Sequence, residues 1–179
     1  TYWKRNIAGR YGQLTKINLP QGGSVQIEYA EKYGTTDSPN FKYVMSRVTV
    51  SDGCSETVPE INHGAHEVIT NYEYDDAFYD RERRDFYGFK TVTTTFADGT
   101  YTIDEYCNRE YYLKGAVEKS TMYAAGGEIL SMRTVEYCDA PCALTAKEEN
   151  WTYEKASGSS DCIHTVARYD YDGYGNCTR

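Results

Sequence analysis

Few side chains in this 179-residue sequence have the type and spacing to do chemistry. Glu82 and Asp85, inside "DRERRD", could pair as carboxylates for acid–base work. Such a pair needs a cleft and one unneutralised carboxylate, and Arg81, Arg83 and Arg84 beside it keep both ionised. His63 and His66, in "NHGAH", could chelate a metal, but no third ligand is identifiable. They read as ordinary loop and strand-end histidines.

The six cysteines are Cys54, Cys107, Cys138, Cys142, Cys162 and Cys177. An even count fits disulfides, and sequence cannot choose among the pairings. Cys138 and Cys142, in "CDAPC", could close a small loop around Pro141. Free thiols fit equally well, and zinc fits less well because a second close pair is missing. "NWT" at Asn150 and "NCT" at Asn176 match the glycosylation pattern, which means nothing if the source is bacterial. G-x-S-x-G, a Walker A loop and a dinucleotide fingerprint are all absent from the sequence. The expectation is therefore no enzyme, no cofactor and no metal.

The elements that would position these groups read as strands. Nineteen Tyr, fifteen Gly and four Pro, with many Thr and Val, suit pleated, half-buried surfaces. "LTKINLPQGGSVQIEY" alternates around Gly22-Gly23, "FKTVTTTFADGTYTIDEYC" around Asp98-Gly99, and "KGAVEKSTMYAAGGEILSMRTVEYC" around Gly126-Gly127. A fourth hairpin spans "KEENWTYEKASGSSDCIHTVARYDYD", with a loop over residues 157–160. "FKYVMSRVTVSDG" is a longer strand, residues 54–64 a loop, and His66 to about Tyr74 another strand. Tight turns join antiparallel neighbours. The predicted fold is all-β, a mostly antiparallel meander of about ten strands with little or no helix. On one strand Val25, Ile27 and Tyr29 share a face opposite Gln26 and Glu28. Nothing reads as an interdomain linker, so residues 1–179 form a single segment.

The formal net charge of −8 argues against nucleic acid or an anionic membrane as partner. No apolar run approaches the ~20 residues that span a bilayer. The sequence opens without Met or a signal-peptide pattern and ends abruptly on "YDGYGNCTR", which reads as a segment of a longer protein.

A weak internal repeat places a Tyr before a Gly turn that opens a new strand. Examples are Tyr171-Asp172 before Gly175-Asn176, Tyr123 before Gly127, and Tyr11-Gly12 before Leu14. "YDYDGYGNCTR" resembles the tyrosine–aspartate (YD) repeat of Rhs-family proteins. "LTKINLPQGGSVQIEY", "YDRERRDFYGFKTV" and "YYLKG" resemble, in that order, the region beside the repeats in the B component of bacterial insecticidal toxin complexes. Related Salmonella virulence plasmid B-like proteins share it. The resemblance runs from about Leu14 to Arg179, with about 14–123 as the B-like middle region and about 123–179 as the start of the repeats. It implies a sheet that spirals into a hollow shell enclosing a toxic C-terminal segment, near the start of that shell and beside a β-propeller. Implied partners are the rest of the polypeptide, the enclosed toxin and other toxin-complex subunits, in a secreted or cell-surface bacterial setting. The family's cleavage aspartates lie at the far end of the shell and have no counterpart here.

Within "FYDRERRDFYGF" the charges from Asp80 to Asp85 sum to zero. Extended, they would pair across strands; as one helical turn, Asp80–Arg84 and Arg81–Asp85 would be i,i+4 pairs. Phe78, Tyr79, Phe86, Tyr87 and Phe89 would anchor the element, and Gly88 would permit a bend or bulge. The residues singled out as structural are Tyr79, Asp80, Arg81, Glu82, Arg83, Phe86, Gly88, Phe89, Tyr171, Asp172, Gly175 and Asn176. The expected role is a non-catalytic shell segment; the alternative is a cell-surface adhesion or carbohydrate-binding module that uses exposed Tyr.

Overall fold

The computed structural model describes residues 12–32, 34–53, 66–138, 143–153 and 162–178. Ten strands follow one another: β1 (Lys16–Asn18), β2 (Ser24–Lys32), β3 (Lys42–Ser51), β4 (Glu67–Asp80), β5 (Asp85–Thr95), β6 (Tyr101–Tyr106), β7 (Val117–Tyr123), β8 (Ile129–Tyr137), β9 (Thr145–Tyr153) and β10 (Cys162–Arg168). They form one sheet in strict chain order, every neighbouring pair antiparallel. No helix occurs among the described residues. The all-β antiparallel meander read from the sequence is the fold found. Cys54, Cys142, His63, Tyr11 and the loops at 54–64 and 157–160 lie outside the described residues.

The turns repeat one geometry. At Leu19, Phe96, Ala124 and Asp172 the backbone N–H donates to the carbonyl four residues on. The glycine at the fourth position donates back to the first carbonyl, with all eight bonds between 2.8 and 3.1 Å. Those glycines (Gly22, Gly99, Gly127 and Gly175) have φ between +85° and +95°. This is a type I turn closed by a left-handed bulge residue, a conformation open to glycine at little cost. The periodicity is thus carried by turn geometry, and Tyr precedes only two of these four turns. Tyr123 stacks on Tyr101 of the preceding strand, with centroids 4.7 Å apart and planes 9° apart.

β4 runs six residues past the expected end near Tyr74. The Asp75-Asp76 pair, which reads as a stop, is absorbed because Asp76 takes φ +50°, a region that Asp tolerates better than most residues.

Alternation holds on β2, where Gln26 and Glu28 are exposed and Val25, Ile27 and Tyr29 are half-buried. Elsewhere the expected division into one buried and one wet face is weak. β5, β6, β7 and β9 are half-buried along nearly their whole length. Among the described residues the buried hydrophobic side chains are Val44, Tyr87, Cys107 and Val135. One layer of sheet cannot bury its own apolar surface. Ile17, Val25, Val50 and Val68 align across β1 to β4, and Ile17, Val50 and Val68 remain 39, 42 and 49% exposed.

Gly99→Ala should cost about 1–2 kcal/mol for a forced left-handed alanine, since Gly99 has φ +85° and an added Cβ would lie 3.1 Å from the Ala125 methyl. Gly173→Ala, in the open and without positive φ, should cost close to nothing. Urea unfolding of the two variants checks the difference.

Candidate functional site

Asp80, Asp85 and Tyr87, three of the described residues with shifted titration, meet at the end of the β4–β5 hairpin. Its far half outruns both neighbours. β3 pairs with β4 only from Glu67 to Asn71, and β6 pairs with β5 only from Thr91 to Thr95. Unpaired strand edges leave peptide groups without partners. Two loops fill the gaps. On the β4 side the Tyr79 N–H donates to the Asp37 carbonyl at 2.8 Å, and the Arg81 guanidinium donates to the Thr36 carbonyl at 2.8 Å. On the β5 side the loop from Cys107 to Ala116 supplies Lys114, which pairs with Asp85.

The charged run is the turn itself. Residues 81–84 connect the strands, and Asp80 faces Asp85 across them. Asp80 Oδ1 accepts the backbone N–H groups of Glu82 and Arg83 at 2.9 and 3.1 Å, as a cap does on a helical turn. Its other oxygen accepts the Tyr87 hydroxyl at 2.7 Å. The Tyr87 hydrogen bond, then that from Arg83, holds the Asp80 carboxyl below its ordinary range. Burial first, and Asp80 second, push the Tyr87 phenol up to about 12. Arg84 closes the turn at φ +54°, without glycine.

Of the two arrangements open to the run, an extended strand and a turn, the turn forms, and the i,i+4 pairs it would allow are replaced by other partners. Asp85 pairs with Lys114, Arg81 with the Thr36 carbonyl, and Arg83 with Asp80 at 3.8 Å. The run reverses direction over four residues, so apart from the Arg83–Asp80 contact its paired charges meet loops. Glu82 sits exposed on the turn, and Lys114 holds Asp85 below its ordinary pKa.

Aromatic rings secure the corner. Phe78 and Tyr87 meet edge to face at 5.5 Å, and Phe86 and Phe89 at 5.6 Å. The register shifts between Phe78 and Tyr79, opposite Phe86 and Gly88, with Gly88 at φ +103°. The "YYLKG" segment packs here: Tyr111 lies 6.2 Å from Tyr87, Arg83 sits 4.3 Å over the Tyr111 ring, and Lys114 4.8 Å. Two motifs separated in sequence are therefore two sides of one joint. Sequence reasoning missed Asn108, which is 1% exposed and donates to the Asp76 carbonyl at 2.7 Å. It also missed Arg109, which reaches Asp76 at 2.9 Å and Asp37 at 3.5 Å.

Beside the corner, Cys107 donates to Glu118 at 3.2 Å, and Glu118 also pairs with Lys90. Lys90 holds Glu118 low, while burial first, and Glu118 second, push the Cys107 thiol up to about 12. A thiol so protonated at neutral pH is a poor nucleophile. Cys138 and Cys162 are also thiols. His66 contacts Asp52 at 3.2 Å, and no group of three metal-ligating side chains comes together among the described residues. Tyr171, Asp172, Gly175 and Asn176 sit apart from the corner, in the last turn. There Asp172 accepts the Tyr174 and Asn176 N–H groups, each at 2.9 Å, and the Tyr171 hydroxyl donates to the Thr145 carbonyl at 2.9 Å.

Asn108→Ala should cost about 1–3 kcal/mol by removing a buried side chain and its hydrogen bond to the Asp76 carbonyl, and Arg84→Gly should gain about 1 kcal/mol by relieving a left-handed arginine; urea midpoints moving in opposite directions check both. Because folding lowers the Asp80 pKa, its contribution is complete above the ordinary carboxylate range and is lost as pH falls through the folded value. Asp80→Asn should therefore flatten the stability profile between about pH 5 and pH 2, measured by urea unfolding.

Three comparisons bear on identity. Residues 2–120 match the family model described as "Insecticide toxin TcdB middle/N-terminal region". A search of curated protein sequences finds no match. The fold is similar to "Crystal Structure of TcdB2-TccC3-TEV" at TM-score 0.68 and 14% identity, covering 93% of this chain and 12% of that one. "Crystal Structure of TcdB2-TccC3 without hypervariable C-terminal region" gives 0.67 and 13%, covering 91% and 12%. "Structure of Photorhabdus luminescens Tc holotoxin pore" gives 0.68 and 14%, covering 91% and 11%. The chain thus spans about an eighth of those structures' length, and at this identity they establish the fold alone. With the family model covering residues 2–120, about two thirds of the sequence, the chain belongs to the TcdB middle/N-terminal region family of insecticide toxins.

Proposed function

We propose that this chain is a non-catalytic wall segment of a larger, secreted or cell-surface toxin-complex protein, one stretch of a β-shell that carries a toxic C-terminal segment. The observation that carries the reading is the sheet's construction. Ten strands run in strict chain order, and buried apolar side chains are few among the described residues. Such a layer gains rigidity from its ladders and joints and can be extended strand by strand at either end. A sheet closed on itself also removes the free edges that invite aggregation. The last turn, at Asp172 to Asn176, has the same geometry as the three before it, which favours continuation into YD-type repeats. One structural relative is described as TcdB2-TccC3 without its hypervariable C-terminal region and another as a Tc holotoxin pore. Other toxin-complex subunits are the partners proposed on that basis.

A sugar-binding surface would need clustered, exposed rings. Tyr101 and Tyr123 instead stack on each other, and the exposed pair Tyr111 and Tyr112, 5.1 Å apart edge to face, is tied into the corner, with Tyr111 against Tyr87 and under Arg83.

In the full-length polypeptide, the C-terminal segment should resist limited proteolysis far longer than the same segment expressed by itself. Equal digestion rates for the two would rule out an enclosing wall.

A further inference from the structure

We propose that the concavity between the 107–116 loop and β8 receives an arginine side chain from a basic segment of a protein partner. The concavity measures 670 Å³, and its walls include Glu110, Tyr111, Tyr112, Glu118, Glu136 and Tyr137, with no lysine or arginine in its lining. Glu118 is held by Lys90, and Glu136 lies 3.4 Å from Lys147. Glu110 has no ion-pair or hydrogen-bond partner among the described residues. Tyr112 is 58% exposed.

A smaller recess of 170 Å³ shares Cys107, Glu110, Leu113 and Glu118 with this concavity. Asn108 lines that recess at 1% exposure beside Lys90 and Arg109, whose charges are taken by Glu118 and by Asp37 and Asp76, and its Oδ1 is buried without a hydrogen-bond donor. A buried acceptor left unpaired is costly, and an arriving N–H group would relieve it.

These features select a guanidinium. It carries a permanent charge for Glu110, a flat face for tyrosine and several N–H donors in one plane. An ammonium offers the charge without the plane. The chain shows the same preference internally, since Arg83 lies 4.3 Å over Tyr111 and Arg109 4.3 Å over Phe78. The volume suits a side chain rather than a folded domain, and the net charge of −8 favours a basic partner.

The test is an NMR titration of the 179-residue chain with Nα-acetyl-argininamide, with the lysine and glutamine analogues as comparisons. Saturable shifts should centre on the Asn108 side-chain amide, Glu110, Tyr111 and Tyr112, and arginine should bind more tightly than lysine. Glu110→Gln and Tyr112→Ala, both at exposed positions, should each weaken binding by roughly fivefold or more with the urea midpoint unchanged. Absence of saturable shifts, an equal response to the lysine or glutamine analogue, or undiminished binding in both variants would overturn the proposal.

Discussion

A hairpin that outruns its neighbours exposes two rows of peptide groups, and the architecture depends on how those rows are closed. β4 and β5 extend well beyond the reach of β3 and β6. The closure is asymmetric. On the β4 side one backbone bond from Tyr79 and one guanidinium from Arg81 join the 34–40 segment. On the β5 side the joint is ionic and aromatic, through Lys114, Tyr111 and the Lys90–Glu118 pair. Arg109 ties the two sides together by reaching both Asp37 and Asp76. In a single-layer sheet such a joint takes over part of the work that a packed core does elsewhere.

The acidic and basic groups at the corner are more specific than their zero sum suggests. Asp80 is occupied by two backbone N–H groups and a tyrosine hydroxyl, so it shapes the turn. Asp85 fixes the neighbouring loop. Glu82, which looked equivalent in sequence, projects outward on the turn. The distinction comes from reversal of the chain over residues 81–84, which sends neighbouring side chains to different elements.

The meander was legible because its turns are local. Gly22, Gly99, Gly127 and Gly175 each set a hairpin with residues no more than four positions away. The joint was only half legible. Its aromatic-charged composition marked the place, but Arg81 finds Thr36 at a separation of 45 residues and Arg109 finds Asp37 at 72. No pattern of period two or 3.6 encodes such pairs. Asn108 gave no signal, because a lone asparagine after a strand most often marks an exposed turn. The extent of β4 was missed because Asp75-Asp76 satisfies the rule for a strand end while one residue absorbs the kink.

Strict chain order also bears on how the polypeptide acquires its shape. Each strand pairs with the one just made, so β-ladders can close in sequence as the chain emerges, with small loops and low entropic cost at each step. The joint is the exception, since it waits for the 107–116 loop to arrive. The growing sheet would then be pliable until that loop is synthesised and stiffen at the corner once it docks. The corner would thereby be set before β8 to β10 are added.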